Sequence, residues 1–235
     1  MAEGAAVERV KTGIEGLDRM LEGGIPKNNC VLVCGGPGTG KTSVCLEFLY
    51  RGAKLYGEKG AFISLEESPE TIVKNFMASF PKLGDITELI DSKMISLMKV
   101  KKFDLQSFAD IVQSYVNDLG VSRVAIDSST VLKLYFKTPT EFRTNMFDVI
   151  EFLKKTNCTA LFTAEMPVSS RKGMKADVEQ FFSDGVIILY NFEKGLKRVN
   201  AIEILKMRGT SHSKHLVPLA ITSEGVKVFP EEKVY

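Results

Sequence analysis

The sequence predicts an α/β fold in which a mostly parallel central β-sheet lies between helix layers, followed by antiparallel β-hairpins near the carboxyl terminus. From Cys30 onward, short β-type runs alternate with longer amphipathic stretches, which is typical of βαβ units. Several of these runs are apolar without alternation, as expected for strands that are covered on both faces. After Asp184 the β-type runs follow one another across short turns, which favours hairpins.

One domain is predicted for the whole chain. Its 235 residues are 44% hydrophobic and 26% charged, as in ordinary globular proteins with a sizeable core. We divide the domain into an amino-terminal segment (1–27), a parallel α/β core (28–184) and a β-hairpin extension (185–235).

The strands can be placed from their composition and from the turns between them. The predicted core strands are residues 30–34, 61–65, 94–100, 121–127 and 159–164. The predicted strands of the extension are residues 186–190, 201–206, 216–222 and 226–229. Turn-like residues 193–195 and 223–225 each contain a glycine and predict the hairpin connections.

Two helix starts carry clear capping signals. Ser68 precedes Pro69, which is the pattern of an N-cap followed by proline at the first helical position. Thr138, Pro139 and Glu141 combine a capping box with the same proline signal. The second helix is predicted to run to about residue 156. Its apolar residues recur at helical spacing: Phe142, Met146, Val149, Ile150 and Leu153.

Charge and hydropathy narrow the classes of partner. The 31 Lys and Arg nearly balance the 29 Asp and Glu, so net charge does not point to nucleic acid or to a membrane, although a local basic surface is compatible with this balance. No apolar run is long enough to span a bilayer, and the first residues lack the features of a signal peptide. We therefore expect a cytoplasmic protein with no membrane partner.

The cysteines predict neither a disulfide framework nor a zinc site. They are Cys30, Cys34, Cys45 and Cys158. They form no CxxC pair and no zinc-like array with His212 and His215. We expect buried, reduced thiols that pack as small hydrophobic groups.

A glycine-rich segment after the first core strand carries the strongest motif. It satisfies the Walker A pattern GxxxxGK[ST] in the required order of apolar strand, turn and helix. Its glycines let backbone N–H groups point at phosphate oxygens, and Lys41 is expected to reach the β and γ phosphates of ATP. The candidate nucleotide-binding residues are Gly35, Gly36, Pro37, Gly38, Thr39, Gly40, Lys41, Thr42 and Ser43. The alternative is a turn that merely joins a strand to a helix; a dinucleotide fingerprint is excluded because its glycine spacing does not occur.

A magnesium site is predicted beside this motif. The Thr42 hydroxyl is the expected ligand from the Walker A segment. Asp127 ends the predicted strand 121–127 and is the candidate Walker B residue, whose carboxylate would hold the magnesium ion. An Asp at a strand end is often only a helix cap or turn former, but the upstream Walker A segment favours the metal role.

Two glutamates are candidates for the catalytic base. Glu66 and Glu67 follow the predicted strand 61–65, whose carboxyl end should lie on the same sheet edge as the Walker A segment. One of them could orient or deprotonate the water that attacks the γ phosphate. The alternative is that one starts the helix after Ser68, where acidic residues favour the helix dipole. The sequence leaves the choice between the two open.

These motifs, together with three further stretches, resemble the KaiC-like branch of the RecA superfamily of ATPases over nearly the whole chain. The stretches are residues 12–26 (TGIEGLDRMLEGGIP), 181–187 (FFSDGVI) and 203–212 (EILKMRGTSH). The resemblance implies a RecA-like P-loop NTPase fold, binding of ATP or ADP with Mg²⁺, and a homo-oligomeric ring, by analogy a hexamer. Asn28 and Asn29 stand where the family commonly has a glycine, but Asn tolerates a left-handed backbone.

The third stretch implies a role for one subunit at the site of another. In KaiC-like proteins the KxRGTSH pattern faces the nucleotide of the neighbouring subunit, so the resemblance implies that Lys206 and Arg208 act in trans and places His212 near the nucleotide. Two cations one residue apart on a strand project to the same face and can neutralise charge on a transferred phosphoryl group. The alternative is a solvated basic stripe. Thr163 and Glu165, at a strand end, are candidates for sensing the γ phosphate or for forming a turn.

Three functions are compatible with these residues. The leading one is a magnesium-dependent ATPase ring with intersubunit active sites and a regulatory or signalling role. A RecA- or RadA-like DNA-dependent ATPase would need an exposed basic loop, for which residues 169–175 (SSRKGMK) are the candidate. The third is a slow nucleotide-state switch or scaffold with little hydrolysis. The chain carries one ATPase copy where cyanobacterial KaiC has two, which speaks against a protein kinase or autokinase activity.

Overall fold

The computed structural model describes residues 7–166, 182–195 and 197–234, and its main feature is a nine-stranded β-sheet. The strands are β1 (Arg9–Val10), β2 (Ile25–Pro26), β3 (Cys30–Gly35), β4 (Lys59–Ser64), β5 (Ile95–Lys99), β6 (Val121–Asp127), β7 (Thr159–Glu165), β8 (Gly185–Lys194), β9 (Lys197–Met207), β10 (Val217–Thr222) and β11 (Gly225–Val228). The helices are α1 (Leu17–Met20), α2 (Lys41–Tyr56), α3 (Pro69–Ser79), α4 (Thr87–Asp91), α5 (Leu105–Leu119), α6 (Ser129–Leu132) and α7 (Pro139–Lys155), and a 3-10 turn covers Lys133–Tyr135.

The strand order confirms the predicted α/β class. The large sheet runs β11-β10-β9-β8-β3-β7-β6-β4-β5, while β1 and β2 form a small separate sheet. From β8 to β5 every neighbouring pair is parallel, and from β8 to β11 every pair is antiparallel. Since the carboxyl ends of parallel strands meet at one edge, β3, β4, β6 and β7 all end there, and that edge is where ligands gather in such folds.

The parallel part of the sheet extends further along the chain than the sequence predicts. β8 pairs with β3 in parallel, with Gly185 opposite Val31, and pairs with β9 in antiparallel fashion. The predicted boundary at residues 184 and 185 therefore does not mark the end of parallel pairing. The reason is that β8 serves both parts: its segment 186–189 is buried on both faces, as a central strand requires.

Apolar residues on the two faces of the sheet form two separate cores. Val31 and Val33 of β3 face the core that α2 and α3 cover. Leu32 and Cys34 of the same strand face the core that α5 and α7 cover. The alternation follows from the period of two along a strand, and it confirms that helices lie on both sides of the parallel sheet.

Both predicted helix starts are confirmed. The Ser68 hydroxyl accepts a hydrogen bond from the Thr71 N–H, and Pro69 is the first residue of α3. The Thr138 hydroxyl accepts from the Glu141 N–H at 3.1 Å, and the Glu141 carboxylate accepts from the N–H of Lys137 at 2.9 Å. α7 ends at Lys155, close to the predicted limit.

The amino-terminal segment packs against the far end of the chain. The Asp18 carboxylate accepts hydrogen bonds from the Thr12 N–H and hydroxyl, both at 2.7 Å, and from the Gly13 N–H at 3.1 Å. The Val228 N–H donates to the Glu15 carbonyl at 2.8 Å, which joins this segment to β11. Asn28 has φ 65°, so it adopts the left-handed conformation that the sequence led us to expect.

All four cysteines are buried, as predicted, and they are not joined by disulfide bonds. Among the described residues, no group of three His, Cys, Asp or Glu side chains is placed to hold a metal ion. Within the same part of the chain, every helix is too short or too polar to cross a bilayer.

Candidate functional site

The Walker A segment forms a tight loop between β3 and α2. Gly38 and Gly40 have φ 73° and 93°, a left-handed conformation that favours glycine. A Cβ atom at Gly35 would lie 2.5 Å from the Thr39 hydroxyl, and one at Gly40 would lie 2.6 Å from Cδ1 of Ile221. A side chain at Gly35 would also lie 2.7 Å from the Leu189 carbonyl oxygen, whereas at Gly40 the main obstacle to a side chain is the left-handed backbone. The backbone curls immediately before the first turn of a 16-residue helix, which is the geometry of an anion cradle.

Lys41 lies against this loop. Its Nζ atom donates hydrogen bonds to the carbonyls of Gly35 and Gly36, each at 3.0 Å. The Thr39 hydroxyl donates to the Gly36 carbonyl at 2.9 Å. The ammonium group is thus held at the mouth of the cradle, where it can contact an anion bound there.

The two predicted magnesium ligands lie side by side. The Thr42 hydroxyl donates to Oδ2 of Asp127 at 2.7 Å. The Thr163 hydroxyl, on the strand between β3 and β6, donates to Oδ1 of Asp127. A hydroxyl and a carboxylate that meet beside a phosphate cradle suit Mg²⁺, which prefers oxygen ligands together with substrate phosphates and water. The residues present therefore fit the predicted metal.

Burial raises the pKa of Asp127 above the ordinary value for an aspartate, and the nearby Glu66 acts in the same direction. The hydrogen bonds from Thr163 and Thr42 and the charge of Lys41 oppose this shift without cancelling it. A buried carboxylate with a raised pKa binds a proton or a metal ion more readily than a solvated one, because either removes the cost of the isolated charge.

We expect Asp127→Asn to unfold at a higher urea concentration than the parent protein at pH 7, with a gain that disappears as the pH approaches about 4. A raised folded-state pKa means that stability is fully present below the unfolded-state pKa and is lost as pH rises through the folded-state pKa. Asn carries no charge and avoids that loss. Urea midpoints between about pH 4 and pH 8, without nucleotide or magnesium, test this.

A matched control is Asp148→Asn, at an exposed position of α7. It should change the urea midpoint little at any pH, since surface substitutions are usually near neutral. A gain from Asp127→Asn that stays constant over the whole pH range would contradict the role given to the buried charge.

Glu66 and Glu67 lie at the predicted edge, just after β4. The Leu65 N–H donates to the Asp127 carbonyl at 2.7 Å, which continues the pairing with β6 past the end of β4. The N–H groups of Glu66 and Glu67 then donate to the Ser64 hydroxyl at 3.2 and 3.0 Å, so the chain turns here. Both carboxylates are brought to the edge that carries the Walker A loop.

Their side chains point to different partners. Oε1 of Glu66 accepts a hydrogen bond at 2.5 Å from the hydroxyl of Ser128, the residue after Asp127. Oε2 of Glu67 accepts a longer bond, 3.3 Å, from Asn75 of α3. Glu66 is thus oriented beside the candidate metal ligand, whereas Glu67 leans towards α3. Neither glutamate is the helix cap, because Ser68 is.

A cavity of about 340 Å³ opens beside the loop. One wall is formed by the Walker A segment, another by α3 and a third by the β10–β11 hairpin. Its lining includes Lys41, Thr42, Glu67, Asn75, Phe76 and Ile221. The last three come from sequence regions without a recognisable motif, and only the fold brings them to the phosphate cradle.

Lys206 and Arg208 lie at the opposite edge of the sheet. Lys206 is paired with Val186 at the start of β8, and its Nζ donates to the Ser183 carbonyl at 2.6 Å. The start of β8 lies beside Val31, which is four residues, or about 13 Å along the strand, from Gly35. The structure therefore does not bring these cations to the Walker A loop of their own chain. Burial, and then the charge of Arg208, lower the pKa of Lys206.

His212 is likewise remote from the loop of its own chain. It is buried, with its Nδ1 2.9 Å from the Ser213 carbonyl and its Nε2 3.0 Å from Nζ of Lys214. The Arg9 side chain donates to the Thr210 hydroxyl at 2.6 Å, and the Ser213 N–H donates to the Met20 carbonyl. The amino-terminal segment thus holds the loop that carries the histidine.

The remaining candidates are divided between the site and its surroundings. Thr163 contacts Asp127 and belongs to the site. Glu165 is exposed, and its N–H donates to the Thr130 hydroxyl at 2.8 Å, which links the end of β7 to α6. The candidate nucleic-acid loop, residues 169–175, lies outside the described residues.

Comparison with known proteins identifies the family. The family model described as "ATPase: KaiC" matches residues 10–233. This chain belongs to the KaiC ATPase family. A UPF0273 protein of Methanocaldococcus jannaschii is 36% identical over 96% of this chain and 98% of its own length. The circadian clock oscillator protein KaiC of Synechococcus elongatus is 34% identical over 97% of this chain but only 46% of its own length.

A solved structure supports the same relationship. The crystal structure of a KaiC-like protein from Pyrococcus horikoshii superposes with a TM-score of 0.84 at 34% identity, covering 96% of this chain and all of that one. The KaiC-like fold with its antiparallel strands near the carboxyl terminus is therefore confirmed. This chain spans about half the length of the circadian clock relatives that it matches.

Proposed function

We propose that this KaiC-family protein is a magnesium-dependent ATPase that assembles into a ring, in which each active site is completed by the adjacent subunit. The proposal rests on the positions of two groups of residues, which lie at opposite ends of the parallel strands. The carboxyl edge holds a phosphate cradle, a metal site and two carboxylates, whereas the cations Lys206 and Arg208 lie at the other edge. In a head-to-tail ring, one edge of a subunit can face the other edge of its neighbour.

The phosphates and the metal ion would be held by residues of one chain. The loop N–H groups and Lys41 bind the β and γ phosphates. Thr42 and Asp127 would hold Mg²⁺, which would neutralise part of the charge on the phosphates. Glu66, already oriented by Ser128, positions the water that attacks the γ phosphate.

The cavity of about 340 Å³ would take the nucleoside. Phe76 and Ile221 provide apolar surface for a flat base, and Asn75 and Ser79 provide hydrogen-bonding groups. The lining is mixed, and its apolar part, which also includes Leu46 and Ile72, suits the faces of a base, while its polar part suits the hydroxyl groups of a ribose.

The neighbouring subunit would supply Lys206 and Arg208. Cations aimed at the transferred phosphoryl group stabilise the charge that spreads over its oxygens. His212 lies in the loop that follows them and would approach the same nucleotide. Because the clock relatives are named for a regulatory process, we assign the ATPase a regulatory or signalling role.

Light scattering combined with an ATPase assay tests the proposal. With MgATP we expect a mass several times the 26.0 kDa of one chain, on the order of six subunits by analogy, together with ATP hydrolysis that EDTA abolishes. A mass that stays at one chain with ATP, with ADP and without nucleotide would overturn the shared active site. Stimulation of hydrolysis by single-stranded DNA would instead favour a DNA-dependent ATPase.

A further inference from the structure

We propose that Asp184 is a positioning residue for Arg208, holding this cation where the neighbouring subunit can use it. The inference rests on the proposed trans role of Arg208. Asp184 belongs to the stretch 181–187, which resembles the family but takes no part in the site described above. It lies immediately before β8, at the edge of the sheet remote from the Walker A loop.

The Asp184 carboxylate is buried and firmly held. Only 5% of its side chain is exposed. Oδ2 accepts a hydrogen bond from the Cys30 N–H at 3.0 Å, and the Asp184 N–H donates to the Cys30 carbonyl at 2.8 Å. Oδ1 accepts from Nζ of Lys154, on α7, at 2.7 Å. Bonds to two separate elements leave the carboxylate little freedom.

Both cations are anchored to this short segment. The Arg208 guanidinium lies 3.8 Å from Oδ1 of Asp184, and the Arg208 N–H donates to the Asp184 carbonyl at 2.9 Å. Lys206 donates to the carbonyl of Ser183, one residue earlier. Side-chain and backbone oxygens of two consecutive residues thus contact both cations at the point where β9 ends.

The Arg208 side chain is nevertheless 56% exposed. A fully paired and buried arginine would be a structural ion pair, whereas this guanidinium lies 3.8 Å from the carboxylate and more than half of the side chain is exposed to solvent. Such an arginine can contact a phosphate on a second molecule without first breaking a tight internal bond.

Charge also requires an acidic residue at this position. Lys154, Lys206 and Arg208 converge here, and Asp184 lowers the electrostatic cost of holding them together. The next residue, Gly185, is paired with Met207 of β9, and a Cβ atom there would require the end of the Met207 side chain to shift.

A double-mutant cycle tests this inference. Asp184→Asn keeps an oxygen that can accept from the Cys30 N–H but removes the charge that directs Arg208. We expect it to lower kcat for ATP hydrolysis about tenfold with little change in KM, because displaced catalytic groups lose transition-state contacts. Arg208→Ala should lower kcat about 10²-fold or more. In the double variant, Asp184→Asn should cause no further loss, since the residue that it positions is absent.

Lys154→Gln is the matched control. It removes the charge of the closest ion-pair partner of Asp184, but its amide can still donate to Oδ1 and the Cys30 N–H still holds Oδ2, so the contact with Arg208 remains and kcat should stay within about twofold of the parent value. Light scattering and thermal unfolding of each variant show that assembly and folding are intact. A loss from Lys154→Gln as large as that from Asp184→Asn would overturn the positioning role.

The remaining outcomes distinguish the positioning role of Asp184 from the trans role of Arg208. If the losses from Asp184→Asn and Arg208→Ala combine to about 10³-fold in the double variant, Asp184 acts independently of Arg208 and the positioning role is wrong, while the proposed function stands. The same holds if Asp184→Asn has no effect. If Arg208→Ala leaves kcat unchanged, the trans role itself is wrong, and the inference about Asp184 falls with it.

Discussion

Glu66→Gln should lower kcat for ATP hydrolysis by about 10²- to 10⁴-fold while leaving the affinity for MgATP nearly unchanged. The substitution keeps the shape of the side chain and its contact with the Ser128 hydroxyl, but the amide cannot take a proton from water. Glu66 is not among the described residues that line the cavity beside the Walker A loop, so nucleotide binding should survive. Single-turnover hydrolysis and equilibrium binding of MgATP measure the two quantities separately.

Glu67→Gln provides the comparison at the adjacent position. Glu67 lines the cavity and accepts a hydrogen bond from Asn75, so its substitution should act mainly on nucleotide binding and much less on kcat. The opposite result, in which Glu67→Gln abolishes turnover and Glu66→Gln does not, would show that the assignment of the base is wrong.

The part of the site that depends on neighbouring residues in the chain is predictable from sequence. The Walker A segment is one continuous stretch, and its glycines, lysine and threonine determine the loop between β3 and α2 locally. Asp127 and the glutamates are predictable for a related reason: each follows an apolar strand, and the carboxyl ends of parallel strands meet at one edge. Sequence cannot choose between Glu66 and Glu67, because their partners, Ser128 and Asn75, lie on other elements.

The cavity could not be predicted, because its walls are joined only by contacts between distant parts of the chain. Glu47 of α2 illustrates this point. Its buried carboxylate accepts hydrogen bonds from the Val226 N–H at 2.6 Å and from Arg51 at 3.2 Å, which fastens the β10–β11 hairpin to the helix that follows the Walker A loop. Burial raises the pKa of this carboxyl despite both bonds. In the sequence, Glu47 looks like a solvent-facing residue of an amphipathic helix.

This anchor determines where Ile221 lies. The hairpin places Ile221 over Gly40, so that a Cβ atom at position 40 would lie 2.6 Å from Cδ1 of Ile221. One wall of the cavity therefore depends on a hydrogen bond between residues 179 positions apart. No periodicity or short motif indicates such a contact, whereas short apolar runs did predict β3, β6 and β7 closely.

The surroundings of Lys206 and Arg208 are a second feature that the sequence does not predict. Their spacing of one residue predicts that Lys206 and Arg208 share a face, but it does not indicate what that face meets. Within one chain the structure places them about 13 Å or more from the Walker A loop, so a role in catalysis requires a second copy of the chain. Two inactive variants should therefore complement each other, which a mechanism within one chain does not allow.

Mixing Lys41→Ala with Arg208→Ala should restore ATP hydrolysis, although each variant alone is nearly inactive. Lys41→Ala removes a phosphate contact but leaves the cations intact, and Arg208→Ala leaves the cradle intact. In a randomly mixed ring, about half of the subunits have an intact cradle and about half of their neighbours have an intact arginine. About one quarter of the sites should therefore be complete, and activity should rise from near zero to about a quarter of the parent value.

The control is a mixture of Lys41→Ala with Asp127→Asn, whose defects lie in the same half of the site. No arrangement of these two subunits places an intact cradle and an intact metal ligand in one chain, so this mixture should stay inactive. Light scattering of both mixtures verifies that rings have formed. Equal activity in the two mixtures would mean that Arg208 acts within its own chain or not at all, whereas recovery only in the first would show that the cradle and the arginine meet across a subunit boundary.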